Sequence, residues 1–329
     1  MKIVRTDCEL ETPLVDKALR EAGHELVLLP DGVSQDELIA AVRDAEILLM
    51  CYTPVPRAVI EAAPKLRGIV KYGVGIDAID TVAAHEHGVS VVNIPEYAEE
   101  TVAEGAFALM IALAKRLPAL RDEMNRAGWT WPESRWLGSD IAGQTVGIVG
   151  FGKIGRSMAR MAGQGFRANV IAFDRRASAE EMRSLGVTKV DSLEALAAQS
   201  DFVTIHATLS AESRGMFGAN QIAAMKPTAF LINTARGAIV DETALAHAIL
   251  EGRIAGGGLD VFSQEPLNRA DHPLKDLFDL PNVILSPHLT FYTRQAMERL
   301  ETETLERCFE LIEGREVLIK SSDPRLQVR

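Results

Sequence analysis

Aromatic residues are scarce, at 5% of the 329-residue chain, and a long apolar run is missing. The longest uncharged apolar stretch, GAFALMIALA at 105–114, falls well short of the ~20 residues that a bilayer-spanning helix needs. The opening MKIVRTDCEL has no apolar core of the kind a secretion signal carries, so a cytoplasmic protein with no membrane partner is expected. Cysteine is rare too. Cys8, Cys51 and Cys308 are odd in number, far apart and without metal-ligand spacing, which excludes a disulfide framework or a zinc site and points to reduced thiols. There is no surplus of cations: the formal net charge is -11, and no basic patch exceeds Arg175-Arg176. Nucleic acid and anionic membrane are therefore excluded as partners, and an anionic substrate must be held by local cations against the overall field.

What is present is two series of short apolar runs, in a length that suggests two domains. Residues 1–97 alternate KIV, LVLL, ILLM, GIVK and VSVVN with helical patterns such as SQDELIAAVRDA, which predicts a parallel sheet covered by helices. From residue 144 a second series follows: TVGIV, VIAFD, a weak VTKV, DFVTIH, AFLIN, GGGLDV and NVILS. Between the two, TVAEGAFALMIALAKR carries apolar residues on more than one face and is expected to be buried between domains or subunits, as a bridge. All three tryptophans fall in WTWPESRW just after it, and exposed aromatics of that size predict a subunit contact. TRQAMERLETETLERCFELIEG, 293–314, reads as one amphipathic helix returning to the first domain.

The stretch GIVGFGKIGRSMAR sets Gly150, Gly152 and Gly155 between a strand-type run and a helix-type run. Spacing alone is weak, since chance gives this pattern in about one such chain in seven. Context decides, because a strand-to-helix turn is what a dinucleotide cradle requires. Gly150 makes the tight turn, a bare Gly152 lets a pyrophosphate approach the backbone, and Gly155 lets the helix lie close on its strand. The helix N-terminus then faces the anion. About 20 residues further on, VIAFD ends in Asp174, where a carboxylate can accept from ribose hydroxyls and repel a 2′-phosphate.

Ligands of open α/β sheets lie beyond the carboxyl ends of strands, so polar residues just after strands are the catalytic candidates. Arg236 follows AFLIN, Glu265 follows GGGLDV and His288 follows NVILS. An arginine there offers a planar fork to a carboxylate. A histidine can give or take a hydroxyl proton, and a neighbouring glutamate fixes the ring and favours its acid form. Together they suit hydride transfer between a nicotinamide and a 2-oxo or 2-hydroxy acid. The remaining histidines are weaker candidates. His85 and His87 point to different helix faces, His24, His247 and His272 read as surface or loop residues, and His206 suits a cofactor-loop or packing role.

With these residues in view the chain resembles the D-isomer-specific 2-hydroxyacid dehydrogenase family over nearly its whole length. KYGVGIDAID at 71–80 is similar to the family's substrate loop, GIVGFGKIGR to its cofactor motif, NTARG to its arginine motif, and DVFSQEP with SPH to its glutamate and histidine motifs. The resemblance implies an NAD-dependent enzyme in which His288 is the proton donor, Glu265 its partner and Arg236 the clamp on carboxylate and carbonyl. It implies substrate binding by Tyr72, Val74, Gly75 and Arg236, with backbone N–H groups of Val74 and Gly75 on the carboxylate. It also implies cofactor contacts at Thr101, Gly150, Gly152, Lys153, Ile154, Gly155, Asp174, Arg175, Thr208, Ala235 and Asp260, the last near the carboxamide. The implied layout is α/β with two Rossmann-like parallel-sheet domains in a hinged homodimer. Residues 1–99 and 292–329 form a discontinuous, flavodoxin-like substrate domain, and residues 100–291 form the dinucleotide-binding domain.

Departures from the family pattern bear on specificity. Thr208 in HATLS stands where many members have proline, and Leu289, Thr290, Phe291 and Tyr292 follow His288 where many have small residues, which narrows the nicotinamide end. Arg175 and Arg176 beside Asp174 can attract a 2′-phosphate, so NADP stands beside NAD as a possible cofactor. Formate dehydrogenases place glutamine where Glu265 stands. Phosphoglycerate dehydrogenase is an alternative, although the segment after His288 leaves no room for the regulatory domain many of them append. The C-terminal-binding protein corepressors, similar in EYAEETVAE, give a second alternative: an NAD-sensing binding protein.

Overall fold

Short apolar runs become strands in both halves of the chain, and in the computed structural model, which describes residues 1–327, they gather into two separate sheets. One unit comprises Met1–Ala98 together with the segment from Thr293 onward, and the other comprises Glu99–Tyr292.

In the first unit β1 (Lys2–Arg5), β2 (Glu25–Leu28), β3 (Ile47–Met50), β4 (Gly68–Lys71) and β5 (Ser90–Asn93) pair in parallel in the order β2-β1-β3-β4-β5. Every residue of β3 and β4 is buried, as expected of strands covered by helices on both faces. Three of the helices start on side-chain caps. Ser34 and Glu37 form a reciprocal capping box on Gln35–Val42, and Asp80 caps Thr81–Glu86. The Arg294–Ile312 helix, capped by Thr293, lies on the Pro13–Glu21 helix and on β4. Its Glu301 accepts from the Leu14 N–H at 2.6 Å, and its Leu311 lies so close to Gly68 that a Cβ there would stand 2.5 Å from Leu311 Cδ1.

The strand order of this unit reverses at β1, where an open α/β sheet has its ligand crevice. Here the chain fills the position itself. Asp7, at φ 54°, turns its carboxylate to the N–H groups of Cys51, Tyr52 and Thr53 at 2.7, 3.0 and 3.1 Å. The Thr53 hydroxyl adds a further hydrogen bond at 2.8 Å. Tyr72, expected to line a substrate pocket, is buried, and its hydroxyl donates to the Thr6 carbonyl at 2.5 Å. Burial pushes its phenol well above the ordinary value, so the group stays a donor.

In the second unit β6 (Thr145–Val149), β7 (Asn169–Phe173), β8 (Thr188–Lys189), β9 (Phe202–Ile205), β10 (Phe230–Asn233), β11 (Gly256–Leu259) and β12 (Val283–Leu285) form a parallel sheet in the order β12-β11-β10-β9-β6-β7-β8. The order reverses between β6 and β9. The Glu99–Ala114 helix, expected to bridge domains or subunits, packs on the Lys153–Arg160 helix and on β10 and β11 of this same unit. Its broad apolar surface is used against the sheet, where Leu109 meets Gly258 and a Cβ on that glycine would lie 3.0 Å from Leu109 Cβ. Trp129 and Trp131 are 63% and 74% exposed and meet edge to face at 6.2 Å, while Trp136 donates to Thr130 and carries Arg135 over its ring.

Candidate active site

The glycine loop after β6 divides its work by position. Gly150 has φ 93°, and a Cβ on it would stand 2.7 Å from the Ala207 nitrogen, so the turn tolerates glycine alone. Gly155 lies against the loop it leaves, with a Cβ position 2.2 Å from the Gly150 carbonyl oxygen. Gly152 differs: nothing lies within 4 Å of its Cβ position, so the backbone there is open to an approaching group. It is also the N-cap of Lys153–Arg160 and has no side chain to close the first turn.

Asp174, just after β7, closes the same loop. One oxygen accepts from Phe151 N–H at 2.8 Å and the other from the N–H groups of Arg176 and Ala177 at 2.7 and 2.9 Å. Burial pushes this carboxyl up, but the three N–H donors outweigh it and hold the group below the ordinary aspartate value, as a carboxylate. Its neighbour Arg175 reaches Glu212 at 3.3 Å.

Beyond β11 and β12 the chain brings an acid and an imidazole together. His288 Nδ1 lies 2.8 Å from Glu265 Oε2, and the other Glu265 oxygen accepts from Phe262 N–H at 2.9 Å. Burial raises the Glu265 carboxyl, yet the His288 hydrogen bond and charge, the Phe262 N–H and the Arg236 charge together bring it below the ordinary value. Arg236, in the turn after β10, is thus near enough for its charge to be felt at Glu265, and its guanidinium also donates to the Ala235 carbonyl at 2.7 Å. The carboxylate on Nδ1 fixes the orientation of the His288 ring.

Asp260, expected beside a cofactor carboxamide, serves the loop that carries His288. It is fully buried at the end of β11 and accepts four hydrogen bonds: Ser286 Oγ at 2.5 Å, Leu289 N–H at 3.0 Å, and the N–H and hydroxyl of Thr290 at 3.0 and 2.6 Å. Four donors exhaust the usual capacity of a carboxylate. His288 itself sits at φ 57° inside this strap, and Phe291 meets its ring edge to face at 6.3 Å.

The match to known proteins decides the family. Residues 107–290 match the D-isomer specific 2-hydroxyacid dehydrogenase family over its NAD binding domain. The chain belongs to that family. It is 37% identical over 315 residues, 95% of its length, to D-3-phosphoglycerate dehydrogenase of Methanocaldococcus jannaschii, of which it spans 58%. It is 41% identical over 293 residues to glyoxylate reductase of Korarchaeum cryptofilum, covering 87% of this chain and 86% of that one. Among solved structures, D-lactate dehydrogenase from Aquifex aeolicus complexed with NAD and lactic acid is similar with a TM-score of 0.85 at 28% identity, over 95% of this chain and 96% of that one.

For a 2-hydroxyacid dehydrogenase the residues present fit a nicotinamide dinucleotide: an open Gly152 at a helix N-terminus, and a charged Asp174 at the end of the neighbouring strand. Of the remaining expected positions in this unit, Lys153 pairs with Glu99 at 2.9 Å, Ile154 is half-buried, Thr101 is buried in the Glu99–Ala114 helix, and Ala235 donates its N–H to Asn233 Oδ1 at 3.0 Å. Thr208 is exposed, with its carbonyl accepting from Ser213 Oγ at 2.7 Å. His206 turns Nε2 to Thr204 Oγ1 at 2.9 Å, and desolvation pushes its ring down to about 3, so it is neutral. Val74 and Gly75 belong to the first unit, where Val74 is exposed and its carbonyl accepts from Asn93 Nδ2 at 2.6 Å.

One group near the candidate site was not singled out in the sequence. His272, expected as a surface or loop residue, lies in a loop but is buried, edge-on to Phe262 at 6.1 Å, with Nε2 3.4 Å from Glu242. Glu242, also buried, accepts from Ser263. A signal did exist: a glutamate at the first turn of an apolar helix beginning after NTARG, and a histidine just before Pro273, both close in sequence to the Arg236 and Glu265 motifs.

Proposed function

We propose that the chain reduces a small 2-oxo acid to the 2-hydroxy acid with NADH, and catalyses the reverse oxidation, with His288 as general acid and base. The observation that carries this reading is the 2.8 Å contact between His288 Nδ1 and Glu265 Oε2, held below β11 and β12 by the Asp260 strap. Bound NADH supplies the hydride. His288 Nε2 gives its proton to the carbonyl oxygen as that oxygen becomes a hydroxyl, and the Glu265 carboxylate stabilises the charged ring before transfer. Arg236 receives the substrate carboxylate and polarises the carbonyl, supplying the local cation that a chain of net charge -11 requires. The dinucleotide is assigned to the second unit, where Gly152 and Asp174 stand.

NAD is favoured over NADP, because the Asp174 carboxylate repels a 2′-phosphate and the adjacent Arg175 is drawn to Glu212. The exposed Trp129 and Trp131 support a homodimer in which a second copy covers them. We place the protein in the cytoplasm, where its three cysteines remain thiols; no helix among the described residues is long and apolar enough to cross a membrane. Glyoxylate is the first substrate to try, since the glyoxylate reductase relative is matched over most of both chains. Oxidation of 3-phosphoglycerate is the second reading, supported by the 37% identity to the Methanocaldococcus jannaschii enzyme.

The test is NADH oxidation across glyoxylate, hydroxypyruvate, pyruvate, longer 2-oxo acids and 3-phosphohydroxypyruvate, with NADPH in parallel and His288→Ala as control. Turnover on at least one acid, cut by about 10²–10⁴-fold in the variant with NADH binding retained, is expected. NADH binding without turnover on any acid would replace this reading by an NAD-sensing binding protein.

A further inference from the structure

The turn that carries Glu265 is tied from beneath by a buried group that makes no contact with His288. Glu242 opens the Glu242–Leu250 helix with its side chain only 6% exposed. One of its carboxylate oxygens accepts from the Ser263 N–H at 2.7 Å, and the other from the Ser263 hydroxyl. The same second oxygen lies 3.4 Å from His272 Nε2. His272 Nδ1 accepts from Leu274 N–H at 3.2 Å, while Nε2 lies buried beside Glu242 without a hydrogen bond among the described residues. Two further contacts close the assembly. The His272 ring stands edge-on to Phe262, and Gly237, next to Arg236, abuts the same turn so closely that a Cβ there would lie 2.0 Å from the Phe262 carbonyl carbon and 2.2 Å from the Ser263 nitrogen.

Phe262 and Ser263 are thus fixed by Glu242, His272 and the Arg236 turn, and Phe262 N–H in turn holds the Glu265 carboxylate. We propose that Glu242, backed by His272, is a positioning residue: it sets where Glu265 stands against His288 and so how far toward alkaline pH the acid form of the enzyme persists. This rests on the reading of His288 and Glu265 as the proton-transfer pair. The charged groups bearing on that pair are Arg236 from the turn after β10 and Asp260 beneath the His288 strap. Glu242 acts on it only through the turn. A carboxylate suits the task because it accepts from both the N–H and the hydroxyl of Ser263. Glutamine with its oxygen on the Ser263 N–H turns its amide nitrogen to the Ser263 hydroxyl, which must then accept instead of donate, and the buried charge is lost.

The experiment compares Glu242→Gln, Ser263→Ala, His272→Leu and His272→Gln with the parent, in pH profiles of kcat/KM for 2-oxo acid reduction and in NADH binding by fluorescence. In Glu242→Gln and His272→Leu the alkaline limb is expected to move to lower pH by about half a unit or more and kcat to fall about fivefold or more, with NADH affinity within about twofold of the parent. Ser263→Ala, which keeps the backbone contact, moves the limb less and in the same direction. His272→Gln, which keeps a polar group beside Glu242, moves the limb less than His272→Leu. Folded Glu242→Gln and His272→Leu variants with an unmoved limb overturn the proposal. If Glu242→Gln does not fold, Ser263→Ala and His272→Leu decide by the same criterion. Full turnover in His288→Ala marks failure of the parent reading instead, because it removes the proton donor whatever Glu242 does.

Discussion

Asp260 takes both the backbone N–H and the hydroxyl of Thr290 on one carboxylate oxygen, at 3.0 and 2.6 Å, two residues past the histidine that this strap presents. His288 lies at φ 57°, a conformation a non-glycine residue adopts only when its surroundings enforce it. Asp260→Asn puts an amide nitrogen where one oxygen meets two donors. We expect it to cost about 2–4 kcal/mol in urea unfolding and to lower kcat by tenfold or more, about 1.4 kcal/mol in the barrier. A variant with parental kcat would show that His288 keeps its place without the strap.

Glu265 gives a prediction in pH. Its folded value is held below the ordinary one, so the stabilisation from its pairing is fully present above about pH 4.3 and is lost as pH falls through the lowered folded value. The acid side of the reduction profile should therefore stay level down to about pH 4.3 and fall only below it. In Glu265→Gln that acid-side fall disappears, the alkaline limb moves to lower pH because the imidazolium has lost its partner, and kcat drops about 10–100-fold. Urea unfolding of the two proteins between pH 3 and 6 offers an independent check: their difference must shrink as pH falls. A constant difference would mean that Glu265 is not paired as a carboxylate.

Much of this was legible in the sequence for a physical reason: most strands buried on both faces appear as unbroken apolar runs, and chemistry in open sheets follows strand ends. That logic located the strands and the glycine loop, and it pointed to Arg236, Glu265 and His288, which the structure brings near one another. It says less where a side chain's fate depends on contacts distant in sequence. His272 sits in a charged loop segment, RADHPLKD, and is buried only because Phe262 and Glu242 close over it. Tyr72 stands one residue past β4, where period-two alternation no longer tells which side it faces. The Glu99–Ala114 helix is apolar around much of its circumference, and that pattern is the same for burial against its own sheet as for burial against another domain.

Asp174 does two things at once, and substitution separates them. Its carboxylate stays ionised below the usual aspartate range and would meet a 2′-phosphate with like charge, while its oxygens also hold Phe151, Arg176 and Ala177. Asp174→Asn preserves an acceptor for part of that set and removes the charge. The ratio of kcat/KM for NADPH over NADH is expected to rise about tenfold, with Arg175 retained to receive the phosphate. No change in this ratio would mean the acid does not face the ribose.

The sharpest test of the dinucleotide cradle compares two glycines three residues apart. At Gly155 a methyl group would stand 2.2 Å from the Gly150 carbonyl oxygen, a backbone atom that cannot swing aside, so Gly155→Ala should lose about 1–3 kcal/mol of stability along with NADH binding. At Gly152 the backbone is extended, with φ -75° and ψ -163°, and nothing lies within 4 Å of the added carbon. Alanine is thus tolerated by the fold, with stability expected within about 1 kcal/mol of the parent. The space it fills is where a pyrophosphate must pass to reach the helix N-terminus, so NADH affinity should fall tenfold or more, about 1.4 kcal/mol. Only the Gly152 variant separates folding from binding: it should melt like the parent and fail to bind. If it binds NADH with parental affinity, the anion does not cross this loop, and the helix N-terminus is not its seat.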